Sequence, residues 1–313
     1  MKERELAMSL EDRRVGVVVF ESIVCVFLVM SAFLGNLLLC LSLYKTKGFR
    51  APQNYYITSL AVTDMLFAGL CMSFSLGALI KGRWIYGETP CQVQGSCIFI
   101  LVNASLFTMT LIAVNRFLKI CKPVSVYQKL YNRRNILLSI ALAWIISIAL
   151  VAAVFSFGNQ PFRFHPGKYL CFLDMAHFNG VHLYTLCAYL AISVVIFPAI
   201  TFCYFKVYRK VREHFAEIAK SGLVEADTSR SFVNEAKITK MLFITLVAFL
   251  VCWTPSICLD LFEAFHGQYS LPRQVYFWQI ATFSCSSVVN PIIYGFMRKE
   301  LRKAYRDILT CKR

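Results

Sequence analysis

Seven long apolar runs dominate this 313-residue chain, at 17–44, 54–80, 91–118, 136–157, 181–205, 238–262 and 274–296. A helix needs about 20 mostly apolar residues to cross a bilayer. Between the runs lie short polar or turn-rich segments such as KTKGFRAP (45–52) and GNQPFRFHPGK (158–168). In lipid every backbone polar group has to be satisfied internally, which a helix achieves within one segment. The runs therefore predict an all-α integral membrane protein, a seven-transmembrane helix bundle. The competing reading is a soluble protein with buried helices. Soluble domains run about 45–50% apolar and about 25% charged, whereas this chain is 58% hydrophobic and 16% charged.

The first 14 residues mix four bases with four acids, and the first run is long and lacks a cleavage site. It reads as a true first span rather than a signal peptide. No repeat or low-complexity block divides the chain. The expected organisation is a short extracellular tail (1–16), the bundle (17–296), and a cytoplasmic amphipathic helix and tail (297–313).

Charge sets the expected orientation. Of the 33 Lys and Arg residues, 24 fall in the alternate segments 45–50, 116–135, 206–240 and 298–313. Basic loops stay in the cytoplasm, so the N-terminus is placed outside and the C-terminus inside, in a multi-pass plasma-membrane topology. The net charge of +16 then reflects topology and attraction to anionic lipid. It is not a nucleic-acid signature, because the bases are not gathered on a soluble domain. Arg116 lands at the cytoplasmic end of the third span, where a lone arginine can simply snorkel to the headgroups.

Several short motifs occur in a fixed order: Gly35-Asn36, SLAVTDML with Asp64, Cys91, Asn115-Arg116-Phe117, Trp144, Pro198, CWTP (252–255) and NPIIY (290–294). In their order and spacing they resemble the rhodopsin-like (class A) G-protein-coupled receptors over nearly the whole chain. CQVQG, NRFLKIC and IIYG are similar to the melatonin receptor/opsin branch. The resemblance implies a receptor, not an enzyme, with no cofactor beyond an allosteric sodium ion. Its implied partners are an extracellular small-molecule ligand, a heterotrimeric G protein, arrestin, receptor kinases and membrane lipid.

The resemblance also implies residue roles. Asp64, costly in mid-membrane, would gather Asn36, Ser105, Ser286, Ser287 and Asn290 around sodium and water. A protonated Asp64 hydrogen-bonded within the bundle is the alternative. Pro198, Pro255 and Pro291 each remove a helical hydrogen bond and allow a kink. Trp253 would relay ligand contact to the kink of the sixth span, a plain packing aromatic being the alternative, with Leu106 and Phe249 as core packing partners near Pro198 and Tyr294 a further member of the activation switch. Cys91 and Cys171 would form the outer disulfide. Cys311, past an amphipathic segment, is open to palmitoylation or remains a free thiol.

Two departures stand out. Asn115 replaces the family's aspartate, which leaves Glu235 as the carboxylate in reach of Arg116. Lys206 stands where the family has a tyrosine that steadies the active state, and it is expected to compete for Glu235. The ligand cavity is expected among Ile98, Phe99, Val102, Asn103, Trp253, Ser256, Ile257, Asp260, Tyr276, Phe277, Ile280 and Ser284, with Glu263 and Arg273 nearer the mouth. Ile98 stands where amine receptors carry a carboxylate, which argues against a simple biogenic amine. Ser284 stands where opsins carry the retinal lysine, which argues against covalently bound retinal. A transporter or channel lacks support, since no repeat or ring of buried charges is visible. A peptide-binding receptor is the alternative within the family.

Overall fold

The computed structural model describes residues 2–45, 51–175, 180, 183–184, 187–188, 191–221 and 226–311. A short helix α1 (Lys2–Glu11) precedes the first span, α2 (Val15–Lys45). The second span is α3 (Pro52–Leu66), a π-helical stretch (Phe67–Met72) and α4 (Ser73–Lys81). The third is α5 (Glu88–Cys121), followed by α6 (Val124–Leu130), and the fourth is α7 (Arg133–Val154). A hairpin, β1 (Phe162–His165) and β2 (Leu170–Leu173), comes next. The described part of the fifth span is a π-helical turn (Ile192–Ile196) leading into α8 (Phe197–Ser221). Then come the sixth span α9 (Ala226–His266), the seventh α10 (Arg273–Met297) and α11 (Lys299–Leu309).

Six of the described helices are long and apolar enough to cross a membrane. The expected fifth run, 181–205, lies partly outside the described residues. The bundle shows large apolar side chains outward: Phe20, Ile23, Phe27, Leu138, Ile145 and Val251 are each about half exposed or more. A soluble protein does not leave so much apolar surface uncovered; lipid covers it here. Inside, the third span is the hub, packed against the second, fourth and fifth, while the first and sixth both pack on the seventh.

Local chemistry explains the helix ends. Pro52 sits in the first turn of α3, where its missing N–H costs nothing. Asn132 caps α7, its side-chain oxygen accepting from Asn135 N at 2.9 Å. Pro255 and Pro291 lie inside the sixth and seventh spans. The amphipathic α11 turns Leu301 and Ala304 inward and leaves Arg302, Lys303 and Arg306 exposed. Cys311 is exposed just beyond it.

The segment expected as a plain N-terminal tail forms α1. Leu10 is fully buried, and Arg13 bonds Glu21 at 2.6 Å. Arg273, expected near the cavity mouth, reaches the other oxygen of Glu21 at 2.7 Å. The hairpin is an addition to the expected helical bundle. Its strands pair antiparallel, Phe162 opposite Leu173 and Phe164 opposite Cys171.

Cys91 and Cys171 form a disulfide with Cα atoms 5.4 Å apart. It ties the hairpin to the start of the third span. Gln94 supports the same joint, accepting from Cys171 N at 2.9 Å. Removing a native disulfide from a small secreted domain costs about 2–5 kcal/mol. Cys171→Ser is expected to lower the melting temperature and the surface level. Mass spectrometry of non-reduced protein should find the Cys91–Cys171 peptide pair; recovery of both cysteines as free alkylated thiols would contradict it.

Candidate functional site

Behind the hairpin lies a cavity lined by the third, sixth and seventh spans, with residues from the second span and the described part of the fifth run. Ile98, Phe99, Val102, Asn103, Trp253, Ser256, Ile257, Asp260 and Ile280, all expected there, line it. Tyr276, Phe277 and Ser284 do not. Tyr276 is fully buried and donates to Glu263 at 2.6 Å. Phe277 packs near Tyr169 in a neighbouring core cluster. Ser284 bonds back to Ile280 O at 2.8 Å. Tyr276 shares a helical face with the lining residues Gln279, Ile280 and Phe283, but it lies a turn nearer the outer end, where Glu263 and the hairpin turn at Gly167 cover it. Phe277 and Ser284 stand toward the edge of that face, against Tyr169 and Met72. The sequence reading missed Phe67, Gln279 and Phe283, Tyr184 and Ala188 from the fifth run, and Lys168, Leu170, Phe172 and Leu173 from the hairpin.

Lys168 is the least expected member. It sits at the hairpin turn yet is fully buried. Its Nζ lies 2.9 Å from Asp260 Oδ1 and 2.6 Å from Glu263 Oε2, and 3.8 Å from the Phe172 ring centre. Burial alone would lower the Lys168 pKa; the two carboxylates outweigh it and hold the ammonium above the ordinary lysine range. His165 beside it is pushed below its ordinary value by burial. Glu263 also accepts from Tyr269 N at 2.9 Å, and Gln279 Nε2 donates to Asp260 Oδ1 at 2.7 Å. Gly167 lets the turn close, since a Cβ there would collide with the Tyr276 ring.

Deeper in the bundle a second, smaller cavity is lined by Asp64, Ser105, Ser286, Ser287 and Asn290. Ser287 Oγ donates to Asp64 Oδ1 at 2.7 Å and Asn290 Nδ2 to Oδ2 at 2.9 Å. Asn36 does not line it. Its Nδ2 donates to the carbonyls of Ala32 and Ser287, each at 2.8 Å. The oxygen-rich lining suits a hard cation. Phe67, Val102, Trp253 and Phe283 border both cavities. Trp253 stacks on Phe249, ring centres 4.4 Å apart, and Leu106 packs in the same core.

At the opposite end of the third span, Arg116 is fully buried. Its guanidinium donates to Glu235 Oε2 at 3.0 Å, Gln53 Oε1 at 2.9 Å and Asn115 Oδ1 at 3.1 Å. Asn115 in turn donates to the Tyr127 hydroxyl on α6 at 3.1 Å. The amide therefore still offers Arg116 an oxygen, and only the charge of the family's aspartate is lost. Phe117 lies 6.3 Å from the Phe202 ring, and Tyr294 is fully buried. Lys206 was expected beside Glu235. It lies over the Phe202 ring at 5.5 Å, and the second cation near Glu235 is Lys119 at 4.0 Å.

Breaking a buried ion pair by removing one partner costs about 3–5 kcal/mol, because the other charge is left uncompensated. Glu263→Ala is expected to destabilise the purified protein on that scale. Glu88→Ala, at an exposed Gln160 contact, should change stability by under about 0.5 kcal/mol. Thermal melts compare the two; equal shifts would contradict the network.

The family model described as "7 transmembrane receptor (rhodopsin family)" matches residues 35–294. Among curated relatives, the Melatonin receptor type 1B-B of Danio rerio is 28% identical over 293 residues, 92% of this chain and 80% of the relative. The Histamine H2 receptor of Canis lupus familiaris is 25% identical over 295 residues, 93% and 79% of the two chains. Squid rhodopsin superposes with a TM-score of 0.82 at 22% identity, over 95% of this chain and 88% of that one. With the matched segment running from the first span to the end of the seventh, this chain belongs to the rhodopsin family of seven-transmembrane receptors, the G-protein-coupled receptors.

Proposed function

We propose that the chain is a plasma-membrane receptor with its N-terminus outside and its C-terminus in the cytoplasm. It takes a small molecule into the cavity under the hairpin. Ligand contact at Trp253 shifts the sixth span about Pro255, and the cytoplasmic end of that span swings outward to admit a G protein. The observation that carries this reading is one helix bearing both ends of the device. Trp253, Ser256, Ile257 and Asp260 line the cavity, and Glu235, some 20 residues earlier on the same helix, holds Arg116. The apolar, part-polar lining suits a small molecule. The buried hairpin over the cavity argues against a peptide, which needs an open mouth. The names of the relatives, for melatonin and histamine, point the same way. Arrestin and receptor kinases are the further partners proposed for the cytoplasmic face, and Cys311 is proposed as a lipid anchor site.

In the resting state Arg116 faces Glu235. Glu235 is about a quarter exposed, so the pair is screened on one side. About 1 kcal/mol, the upper end for pairs with an exposed partner, shifts the rest-to-active ratio about fivefold. Glu235→Ala is therefore expected to raise ligand-free G-protein activation by up to about fivefold, with Arg116→Ala weakening activation while ligand binding survives. Equal basal signalling in wild type and Glu235→Ala, at matched surface levels, would rule out the lock.

The Asp64 cavity supplies oxygens from Asp64, Ser105, Ser286 and Ser287, a donor set that fits sodium. The ion would favour the resting packing around Asn290. Asp64→Asn is expected to abolish sodium sensitivity of agonist binding. A wild type indifferent to sodium between 0 and about 150 mM, the physiological ionic strength, would remove the site.

A further inference from the structure

We infer that Lys168 is a charge filter: the cavity takes neutral ligands, and amines are shut out because the chain's own ammonium already holds the carboxylate an amine would seek. The inference rests on reading the cavity as the ligand site and names the chemistry that site accepts.

Among the described residues lining the cavity, Lys168 and Asp260 are the charged ones. Glu263 is outside the lining and heavily engaged, by Lys168 and the Tyr276 hydroxyl at 2.6 Å, Tyr269 N at 2.9 Å and His165 at 3.4 Å. Asp260 is thus the carboxylate a ligand would meet. Its Oδ1 already accepts from Lys168 and Gln279. A second ammonium bonded to the same oxygen would stand within about 6 Å of Lys168 Nζ, given ordinary hydrogen-bond lengths. Like charges that close repel strongly in a half-dry cavity.

Withdrawal of Lys168 is hindered. Cys171, three residues on, is fixed by the disulfide, and the turn is pressed against Tyr276 at Gly167. An anionic head fares no better, because two carboxylates face one ammonium and His165 is held toward its neutral form. What remains is a neutral head with both donor and acceptor, set between Lys168, Asp260, Gln279 and Asn103, on an apolar body. Lys168 is also held protonated by its carboxylates, so it is a poor nucleophile for covalent capture of a carbonyl ligand.

The test uses the full chain in nanodiscs and three matched probes: N-acetylphenethylamine, phenethylamine and 3-phenylpropionate. Binding is read by saturation-transfer NMR and by thermal shift. Wild type is expected to bind the neutral amide at least about tenfold more tightly than either charged probe, a difference of about 1.4 kcal/mol. Lys168→Met, and as a second variant Lys168→Gln, should gain at least about tenfold in phenethylamine affinity, and adding Asp260→Asn should cancel the gain. Wild type binding the amine as tightly as the amide would overturn the filter, whether or not the variants fold. So would a folded Lys168 variant that gains nothing. If no probe of any charge binds wild type, the cavity reading itself falls, and the filter with it.

Discussion

A charge inside a lipid-embedded bundle has to meet a partner at hydrogen-bond distance, because water is not there to solvate it. Among the described residues, ionisable side chains at three depths meet such partners. Lys168 is met by Asp260 and Glu263 under the hairpin. Asp64 is met by Ser287 and Asn290 in the middle. Arg116 is met by Glu235, Gln53 and Asn115 at the far end. Each partner set joins elements distant in sequence, so satisfying the charge also fixes how the helices sit together. Apolar packing supplies the bulk of the contact, but it tolerates sliding; a paired buried charge does not.

The three sites differ in what releases them. Arg116 is fully buried while Glu235 is partly exposed, and Lys119 stands at 4.0 Å as a second cation for the same carboxylate. A pair with one wet partner and a competing cation parts readily. The Lys168 network is largely buried, with Lys168 and Glu263 fully covered, and it holds the outer end of the sixth span. Pro255, which lacks the N–H to continue the helical ladder, lies between the two ends. A helix held firmly at one end, weakened in the middle and held lightly at the other moves at the light end. The asymmetry of the two ion pairs therefore gives the sixth span a direction of swing.

The sequence was informative where a role depends on position along one helix. Asp64, Arg116 and Glu235 are placed by motif order, and the bias of basic loops puts the ends carrying Arg116 and Glu235 on the same side. It was less informative where a role depends on which neighbour covers a side chain. The resemblance places Tyr276, Phe277 and Ser284 at the cavity, yet their side chains are taken up by packing with Glu263, Tyr169 and Met72. The resemblance likewise places Asn36 with the Asp64 cluster, and its amide is instead spent on the carbonyls of Ala32 and Ser287. Lys206 has a long flexible side chain that lies back on its own helix, over Phe202.

Lys168 was invisible for a more instructive reason. A lysine in FRFHPGKYL reads as a solvated loop residue, since loops lie on the surface and lysine is almost never fully buried. The Pro-Gly pair does mark a turn, and alternation of aromatic and polar residues before it marks a strand. Neither says that the turn points inward. That follows only when the disulfide fixes Cys171 over the bundle and the two carboxylates of the sixth span, Asp260 and Glu263, one turn apart, are left facing the hairpin. Two adjacent carboxylates at a cavity cannot both stay charged without a cation nearby. A pair of acids one helical turn apart at the outer end of the sixth span is therefore a demand for a base. In this chain the hairpin lysine meets that demand before any ligand arrives.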